Sequence, residues 1–217
     1  MDGEGSSAER ARELVDPADP VLARAVYDAW APTYDADHPP HLHLGPELVA
    51  DRVARLAPPS TDVLDAACGT GLVGAALARR GFTSVDGLDL SPGMLARARR
   101  LRVYHDLGPS DLARRLPGAG DKFGVVTCVG ALCSGHLPVT ALGEFARVVR
   151  GGGHLVVTVG EDERAPARLR HLDHHLDRLA VHDVARVVAD EVHPLSREPD
   201  TAGRLLVLQV LGGPAAD

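Results

Sequence analysis

Short apolar runs alternate with amphipathic stretches through the middle of the chain. The apolar runs have the length of single strands and cover 63–67, 85–90, 123–129 and 153–159. The stretches between them carry apolar residues at helical spacing and cover 72–80, 91–101 and 139–149, and Ser91 followed by Pro92 is a typical helix start. Strands that alternate with helices in this way predict a parallel sheet with crossover helices.

The two ends of the chain follow different patterns. After a predicted helix over 165–179, two strand-like runs over 184–192 and 205–211 are joined by a polar turn, which predicts an antiparallel pair at the sheet edge. Near the start, apolar stripes predict helices within 20–58, whereas residues 1–19 are polar and are expected to form a disordered tail. The pattern predicts an open α/β sheet, mostly parallel, with a C-terminal hairpin, helices on both faces and a helical N-terminal cap.

Composition and charge narrow the function classes. With 217 residues and 45% hydrophobic content, residues 20–217 are expected to form one domain, with the sheet and its helices in 59–217. A net charge of -7 argues against nucleic acid or an anionic membrane as a partner. The short basic helix face of Arg97, Arg99 and Arg100 is therefore expected to be solvated.

Cysteine usage and the absence of long apolar segments indicate the compartment. Cys68, Cys128 and Cys133 are sparse and have no CxxC spacing, which is typical of a reduced protein. No run is apolar enough for a secretory signal or a membrane span. The sequence therefore predicts a cytoplasmic protein that does not enter the membrane.

A glycine-rich sequence follows the first predicted strand of the sheet. Glycines at a strand-to-helix junction let the backbone pass close to a ligand, and the following helix offers free amides. Gly69, Gly71 and Gly74 satisfy the GxGxxG spacing, and Asp89 lies at the distance of a ribose-binding acid, so an NAD-dependent oxidoreductase stays open as an alternative. Asp65 argues against it, because a carboxylate so close to the loop disfavours a pyrophosphate and favours a ligand with an ammonium group.

These residues resemble the motifs of a known family. The run 65–71 (DAACGTG) resembles motif I of the class I S-adenosylmethionine-dependent methyltransferases, and 87–95 (GLDLSPGML) resembles their second acidic motif. The run 27–35 (YDAWAPTYD) is similar to the N-terminal signature of small-molecule members. The similarity extends to further segments, 111–112, 123–126, 129–132 and 141–153. Within the family, the chain most resembles the methyltransferase-like proteins of the Williams–Beuren region type.

The resemblance implies a fold, a cofactor and a reaction. The fold would be a Rossmann-like α/β sheet, and the cofactor S-adenosyl-L-methionine, with S-adenosyl-L-homocysteine as the product. The methyl group would go to O, N or S of a small molecule, with bacterial secondary metabolites among the candidates. One alternative is a protein of the same fold that binds the cofactor without methyl transfer, either regulatory or pericyclase-like. The acceptor and the oligomeric state stay open.

The resemblance also assigns cofactor-binding residues. They are Asp65, Ala67, Gly69, Gly71, Asp89, Leu90, Met94, Asp111, Leu112 and Val129. Gly69 and Gly71 would let the loop approach the methionine and ribose parts of the cofactor. Asp65 would assist the amino end, and Asp89 would accept hydrogen bonds from both ribose hydroxyls.

The adenine would be held by residues between the predicted strands over 85–90 and 123–129. Leu90 and Met94 would flank the ring. Asp111 would accept from the adenine amino group, and the Leu112 amide would meet a ring nitrogen. Asp106 competes with Asp111 for this role, and Asp111 could also cap a short helix over 112–116.

Catalytic groups are sparse near the predicted site. Methyl transfer mainly needs alignment, and a general base helps when the acceptor must lose a proton. No carboxylate occurs in the segment just after the predicted strand over 123–129, where His136 is the first titratable side chain, and Tyr34 lies in the cap. His136 and Tyr34 are the predicted catalytic residues. No metal is expected, because His171, His174 and His175 are predicted on the solvated face of their helix.

Overall fold

A computed structural model describes residues 19–37, 39–116, 120–132, 137–160, 165–197 and 202–212. Its α-helices are α1 (Pro20–Trp30), α2 (Tyr34–Asp37), α3 (Gly45–Leu56), α4 (Leu72–Arg79), α5 (Pro92–Leu101), α6 (Ala141–Val148) and α7 (Ala165–Val181), and Pro40–Leu42 forms a 3₁₀ turn. Its strands are β1 (Val63–Ala66), β2 (Val85–Asp89), β3 (Asp106–Pro109), β4 (Phe123–Leu132), β5 (Val149–Gly160), β6 (Ala185–Pro194) and β7 (Ala202–Val210). Within these ranges, no helix has both the length and the apolar character needed to cross a membrane.

The strands form one sheet in the order β3-β2-β1-β4-β5-β7-β6. Neighbouring strands from β3 to β5 are parallel, whereas β7 runs antiparallel to both β5 and β6. Val63 of β1 lies in register between Val85 of β2 and Val125 of β4. The predicted open sheet, with a parallel part and an antiparallel C-terminal hairpin, is confirmed, and its arrangement is Rossmann-like.

Helices cover both faces of the sheet, as predicted. Successive strand residues point to opposite faces, so Val63 packs on one side and Leu64 on the other. On the side of Val63, α3 and α4 contribute the buried side chains of Val49, Val53, Val73 and Leu77. On the side of Leu64, α6 and α7 contribute Leu142, Phe145, Leu172 and Leu179. Burial of each large side chain stabilises the fold by about 1.5–3 kcal/mol, which fixes the helices on the sheet.

Two helix starts are closed by polar side chains. The Ser91 hydroxyl accepts from the amide of Met94 at 3.0 Å, so the N-cap predicted for α5 is confirmed. Asp19 caps α1 in the same way and accepts from the amides of Val21 and Leu22. Asp19 is the one residue of the predicted tail that lies within the described residues; residues 1–18 lie outside them.

The segment before α3 is bound to the loop after β6. The amide of Leu44 donates to the carbonyl of Leu195 at 3.0 Å, and the amide of Arg197 donates to the carbonyl of Leu42 at 2.9 Å. Because β6 runs parallel to β1–β5 and ends at Pro194, this contact lies at the carboxyl edge of the sheet. The N-terminal helices are therefore attached to the edge at which the parallel strands end.

Two local elements differ from the prediction. The strand β3 was not predicted, because its sequence (DLGP) contains Gly and Pro and its side chains lie half-exposed at a sheet edge. The short helix expected over 112–116 does not form. Instead, the Asp111 carboxylate accepts from the amide of Ala113 at 3.1 Å and from Arg114 at 3.0 Å, so Asp111 closes a turn.

Arg97 and His175 were expected in solvent, but both are partly buried. Arg97 is half-buried and donates to Asp35 at 3.0 Å and to the Pro32 carbonyl at 3.2 Å. His171 and His174 are exposed, but Nε2 of His175 is buried and finds no hydrogen-bond partner in the described part of the chain. Burial lowers the pKa of His175. In that same part of the chain, no three His, Cys, Asp or Glu residues are placed to hold a metal ion.

Candidate cofactor-binding site

The carboxyl ends of neighbouring parallel strands bring the predicted site residues together. β1 ends at Ala66 before the glycine loop (residues 67–71), β2 ends at Asp89, and Pro109 ends β3 just before Asp111. The strand order reverses between β1 and β4, and open α/β sheets bind ligands at such a reversal. The topology thus places the glycine loop and the acids that follow β2 and β3 side by side.

The glycine loop turns sharply from β1 into α4. Ala67, Gly69 and Gly71 have positive φ angles of 58°, 54° and 101°, which suit glycine at the last two positions. A Cβ atom on Gly69 would have no other atom within 4 Å, so this residue presents open space. A Cβ atom on Gly71 would lie 2.7 Å from Leu101 of α5. Gly69 therefore allows a ligand to approach, whereas the missing side chain of Gly71 makes room for α5.

Asp89 is held in place by the loops on both sides of it. Its Oδ2 accepts from the amide of Gly69 at 2.8 Å, and its Oδ1 accepts from the amide of Ser91 at 2.9 Å. A carboxylate offers about four lone pairs, so two acceptor positions remain for a diol such as a ribose. Burial raises the pKa of Asp89, and the two amide hydrogen bonds oppose that rise. The open face of Gly69 beside this fixed carboxylate fits the nucleoside part of S-adenosylmethionine.

Asp65 lies beneath the glycine loop and is fully buried. Its Oδ2 accepts from the hydroxyl of Tyr104 at 2.7 Å, and its Oδ1 accepts from Thr127 at 3.1 Å. Burial raises the pKa of Asp65 to about 7, although the hydrogen bonds from Tyr104 and Thr127 lower it. Both carboxylate oxygens of this buried acid thus have protein partners, and a contact of Asp65 with the amino end of the cofactor stays a prediction.

Asp111 and Asp106 lie at opposite ends of β3. Asp106 is the first residue of the strand, pairs in register with Asp86 and accepts from the amide of Leu107. Asp111 lies two residues beyond the end of the strand at Pro109, and the amide of the intervening Ser110 donates to the Asp89 carbonyl at 2.9 Å. Because the glycine loop lies at the carboxyl edge, this placement favours Asp111 for a contact with adenine.

The remaining predicted contacts differ in their exposure. Met94 and Leu112 are buried, with 2% and 6% of their surface exposed, and each can offer a ligand only a small area. Ala67, Leu90 and Val129 are half-buried at the edge of the sheet. Val129 also faces the start of α3, because a Cβ on Gly45 would lie 3.0 Å from its Cγ1.

Two acids attach the cap to the glycine loop and to the loop after β2. Asp28 of α1 accepts from the hydroxyl of Ser91 at 2.6 Å and from the amide of Gly93 at 2.8 Å. Burial raises the pKa of Asp28, but these hydrogen bonds and the nearby Arg24 outweigh it, so the pKa is lowered. Asp35 of α2 accepts from the hydroxyl of Thr70, in the glycine loop, at 2.7 Å. The cap therefore contacts both loops that surround Asp89.

The predicted catalytic Tyr34 belongs to an aromatic cluster in the cap. Its ring centroid lies 4.8 Å from that of Trp30 in an edge-to-face arrangement and 6.5 Å from that of Tyr27. Tyr34 precedes Asp35, which brings it close to the glycine loop. His136, the other predicted catalytic residue, lies outside the described residues.

Sequence reasoning did not assign roles to Asp28, Asp35 or Tyr104. Asp28 and Asp35 lie in the run that resembles the N-terminal signature, but spacing alone does not say what they contact. Their partners are 65 and 35 residues away along the chain. For Tyr104, the available signal was the pair of glycines at 74 and 87, which the sequence analysis assigned only to motifs, because each lacks a side chain where the tyrosine ring lies.

Sequence comparisons with known proteins show which family this chain is similar to. Residues 63–153 match the family described as a methyltransferase domain. Human methyltransferase-like protein 27 is 37% identical over 184 residues, which are 81% of this chain and 75% of that protein. The demethylmenaquinone methyltransferase of Renibacterium salmoninarum is 38% identical over 143 residues, which are 64% of this chain and 58% of that enzyme.

Solved structures share the fold at low sequence identity. The [4+2]-cyclase SpnF has a TM-score of 0.71 at 17% identity, over 92% of this chain and 99% of that one. A TehB-like S-adenosylmethionine-dependent methyltransferase of Corynebacterium glutamicum has a TM-score of 0.58 at 18% identity, over 86% of this chain and 98% of that one. These likenesses establish the fold, and the match to methyltransferase-like protein 27 establishes the family. The chain belongs to the class I S-adenosylmethionine-dependent methyltransferases.

Proposed function

We propose that this enzyme transfers the methyl group of S-adenosyl-L-methionine to O, N or S of a small molecule. The observation that carries the cofactor assignment is the fixed carboxylate of Asp89, held by the amides of Gly69 and Ser91 beside the open face of Gly69. A diol held there would receive charge-assisted hydrogen bonds, which are among the stronger polar contacts in proteins.

The proposed binding residues are grouped by the part of the cofactor that they contact: ribose, methionine or adenine. Asp89 accepts from the ribose hydroxyls, and Gly69 admits the methionine and ribose parts to the loop. Asp111 and the amide of Leu112 meet the adenine edge, and Leu90 lies beside the ring. Ala67, Met94 and Val129 add smaller apolar contacts, and Gly71 and Asp65 act by shaping the loop.

A small-molecule acceptor is supported by the position of the cap. Asp28, Asp35 and the contact between Leu44 and Leu195 attach the N-terminal helices to the carboxyl edge of the sheet. A covered edge suits a small acceptor better than a bulky macromolecule. Relatives named for demethylmenaquinone methylation and for ubiquinone biosynthesis support the same class. A bacterial secondary metabolite is our proposal for the acceptor.

The catalytic contribution of the protein is proposed to be alignment, aided by proton removal where the acceptor requires it. When bound, the cofactor supplies an electrophilic methyl group. For an O–H or N–H acceptor, one proton must leave the acceptor, and Tyr34 and His136 are the side chains proposed to receive or guide it. An already ionised sulfur acceptor needs no such step.

The compartment and the domain boundaries are also proposals. We propose a reducing cytoplasm, because the cysteines are sparse and have no CxxC spacing. We propose one methyltransferase domain over residues 20–217, with the cap in 20–58.

Neither alternative function is favoured. The matched family transfers methyl groups, which disfavours a protein that only binds the cofactor. The buried Asp65 disfavours a pyrophosphate at the glycine loop and therefore an NAD-dependent oxidoreductase.

Binding and turnover test the proposal separately. Titration calorimetry should show that S-adenosylhomocysteine binds the purified protein and that NAD does not. Incubation with S-adenosylmethionine and a panel of phenols, amines and thiols should then release S-adenosylhomocysteine with at least one acceptor class. Binding of NAD in place of S-adenosylhomocysteine would overturn the cofactor assignment. Tight cofactor binding without turnover on any acceptor would favour the protein that binds without methyl transfer.

A further inference from the structure

The ring of Tyr104, between α5 and β3, lies in a slot formed by three glycines. A Cβ atom on Gly74 would lie 2.5 Å from the hydroxyl oxygen of Tyr104. A Cβ on Gly87 would lie 3.0 Å from Cε1, and a Cβ on Gly71 would lie 3.2 Å from Cε2. Glycine at these positions on α4, its N-cap and β2 thus makes room for one aromatic ring.

The hydroxyl of Tyr104 joins the glycine loop to the acid beneath it. It donates to Oδ2 of Asp65 at 2.7 Å and accepts from the amide of Gly74 at 3.3 Å. Gly74 is the third residue of α4, whose amide is usually satisfied by the side chain of the N-cap residue. The N-cap here is Gly71, which has no side chain to accept a hydrogen bond. Tyr104 therefore supplies the missing cap from another part of the chain.

We propose that Tyr104 is a positioning residue for the cofactor site. Its hydroxyl and ring hold the glycine loop and the first turn of α4 in the conformation that binds S-adenosylmethionine. Tyr104 acts through Gly71 and Gly74 and does not touch the cofactor. Asp65 fixes the direction of the hydroxyl, which gives this buried acid an indirect part in binding. The inference rests on the proposed cofactor site and extends it to a residue outside the family motifs.

The test replaces Tyr104 by Phe, which keeps the ring and removes only the hydroxyl. The matched control is Ser84→Ala, because the Ser84 hydroxyl also donates to a half-buried carboxylate, that of Asp62 at 2.6 Å, at the amino edge of the sheet. For wild type and both variants, calorimetry gives the dissociation constant of S-adenosylhomocysteine. NMR hydrogen exchange gives the protection of the Gly74 amide, with the amide of Leu77 in the interior of α4 as reference.

Tyr104→Phe should raise the dissociation constant by about fivefold and speed exchange at Gly74 by about tenfold, with Leu77 unchanged. Ser84→Ala should lower thermal stability and leave both quantities as in wild type.

An unchanged dissociation constant in Tyr104→Phe overturns the inference while the proposed function stands. Weaker binding with unchanged Gly74 exchange overturns the capping route, as does rapid Gly74 exchange in the wild type. Equal weakening in Ser84→Ala overturns the inference, because the loss of affinity would then follow from a general loss of stability. If the wild type binds no S-adenosylhomocysteine, the proposed function itself fails.

Discussion

The carboxylate of Asp35, in the N-terminal cap, accepts a 2.7 Å hydrogen bond from the hydroxyl of Thr70, in the glycine loop. Its second oxygen accepts from Arg97 of α5 at 3.0 Å. One half-buried side chain therefore joins the cap, the glycine loop and α5, the helix that follows Asp89. Loss of this side chain should loosen all three elements together.

Asp35→Ala should destabilise the fold by about 1–2 kcal/mol, because hydrogen bonds to a charged group are lost at a partly exposed position. It should also weaken S-adenosylhomocysteine binding about fivefold, because Thr70 loses its partner. Urea unfolding and calorimetry measure the two effects. The control is Asp51→Ala, which removes a surface ion pair with Arg80 and should leave binding unchanged. Wild-type affinity in Asp35→Ala would show that the cap does not support the loop.

Asp89→Ala should weaken the binding of S-adenosylmethionine by about 2–3 kcal/mol, because charge-assisted hydrogen bonds to the ribose are lost. Asp89→Asn retains one acceptor oxygen and should lose less affinity. Calorimetry on both variants gives the order of affinities. A wild-type dissociation constant in Asp89→Ala would remove the ribose assignment.

Alanine substitutions at the two loop glycines should separate ligand contact from packing. Gly69→Ala should destabilise the fold by about 1–2 kcal/mol through its left-handed backbone, and its methyl group should obstruct S-adenosylhomocysteine. Gly71→Ala should destabilise the fold by about 3 kcal/mol, because the same strain is joined by contact with Leu101 and Tyr104. Chemical unfolding and calorimetry on both variants check this order. Equal losses of stability would contradict the orientation of Gly71 toward α5.

Asp65 should make the stability of the protein depend on pH. Its pKa is about 7 in the folded state against 3.8 ordinarily, because the acid is buried and Asp89 lies nearby. A raised carboxyl pKa stabilises the fold below about pH 4, and this contribution is lost as the pH rises through 7. Between pH 4 and pH 8, the wild type should therefore lose up to about 4 kcal/mol relative to Asp65→Asn. Urea unfolding of both proteins across this range measures the difference, and parallel profiles would contradict a raised pKa.

The sheet, its hairpin and the acids at its carboxyl edge could be predicted because their signals are local. Apolar runs predicted β1, β2, β4 and β5, and Ser91 marked the start of α5. The strand β3 was missed because an exposed edge strand with Gly and Pro has neither an apolar run nor alternation. Arg97 was expected in solvent because its partner Asp35 lies 62 residues earlier in the chain.

The internal contacts of the site depend on tertiary structure and could not be predicted from spacing. Tyr104 reaches Asp65 across 39 residues, and nothing near Tyr104 in the sequence identifies that partner. The glycines at 71 and 74 were interpreted as part of a ligand-binding motif. The structure shows that their missing side chains also accommodate protein atoms, from Leu101 and Tyr104.

The contact between Leu44 and Leu195 has a consequence for the order of folding. The cap is synthesised before the strands that hold it, and α1 and α2, with 11 and 4 residues, are too short to be stable alone. Docking of Leu44 on Leu195 must await synthesis of the C-terminal hairpin, and such distant contacts form slowly. A nascent chain can therefore assemble the central strands early and attach Asp28 and Asp35 to them, but the segment before α3 can be fixed in place only after synthesis has passed Leu195.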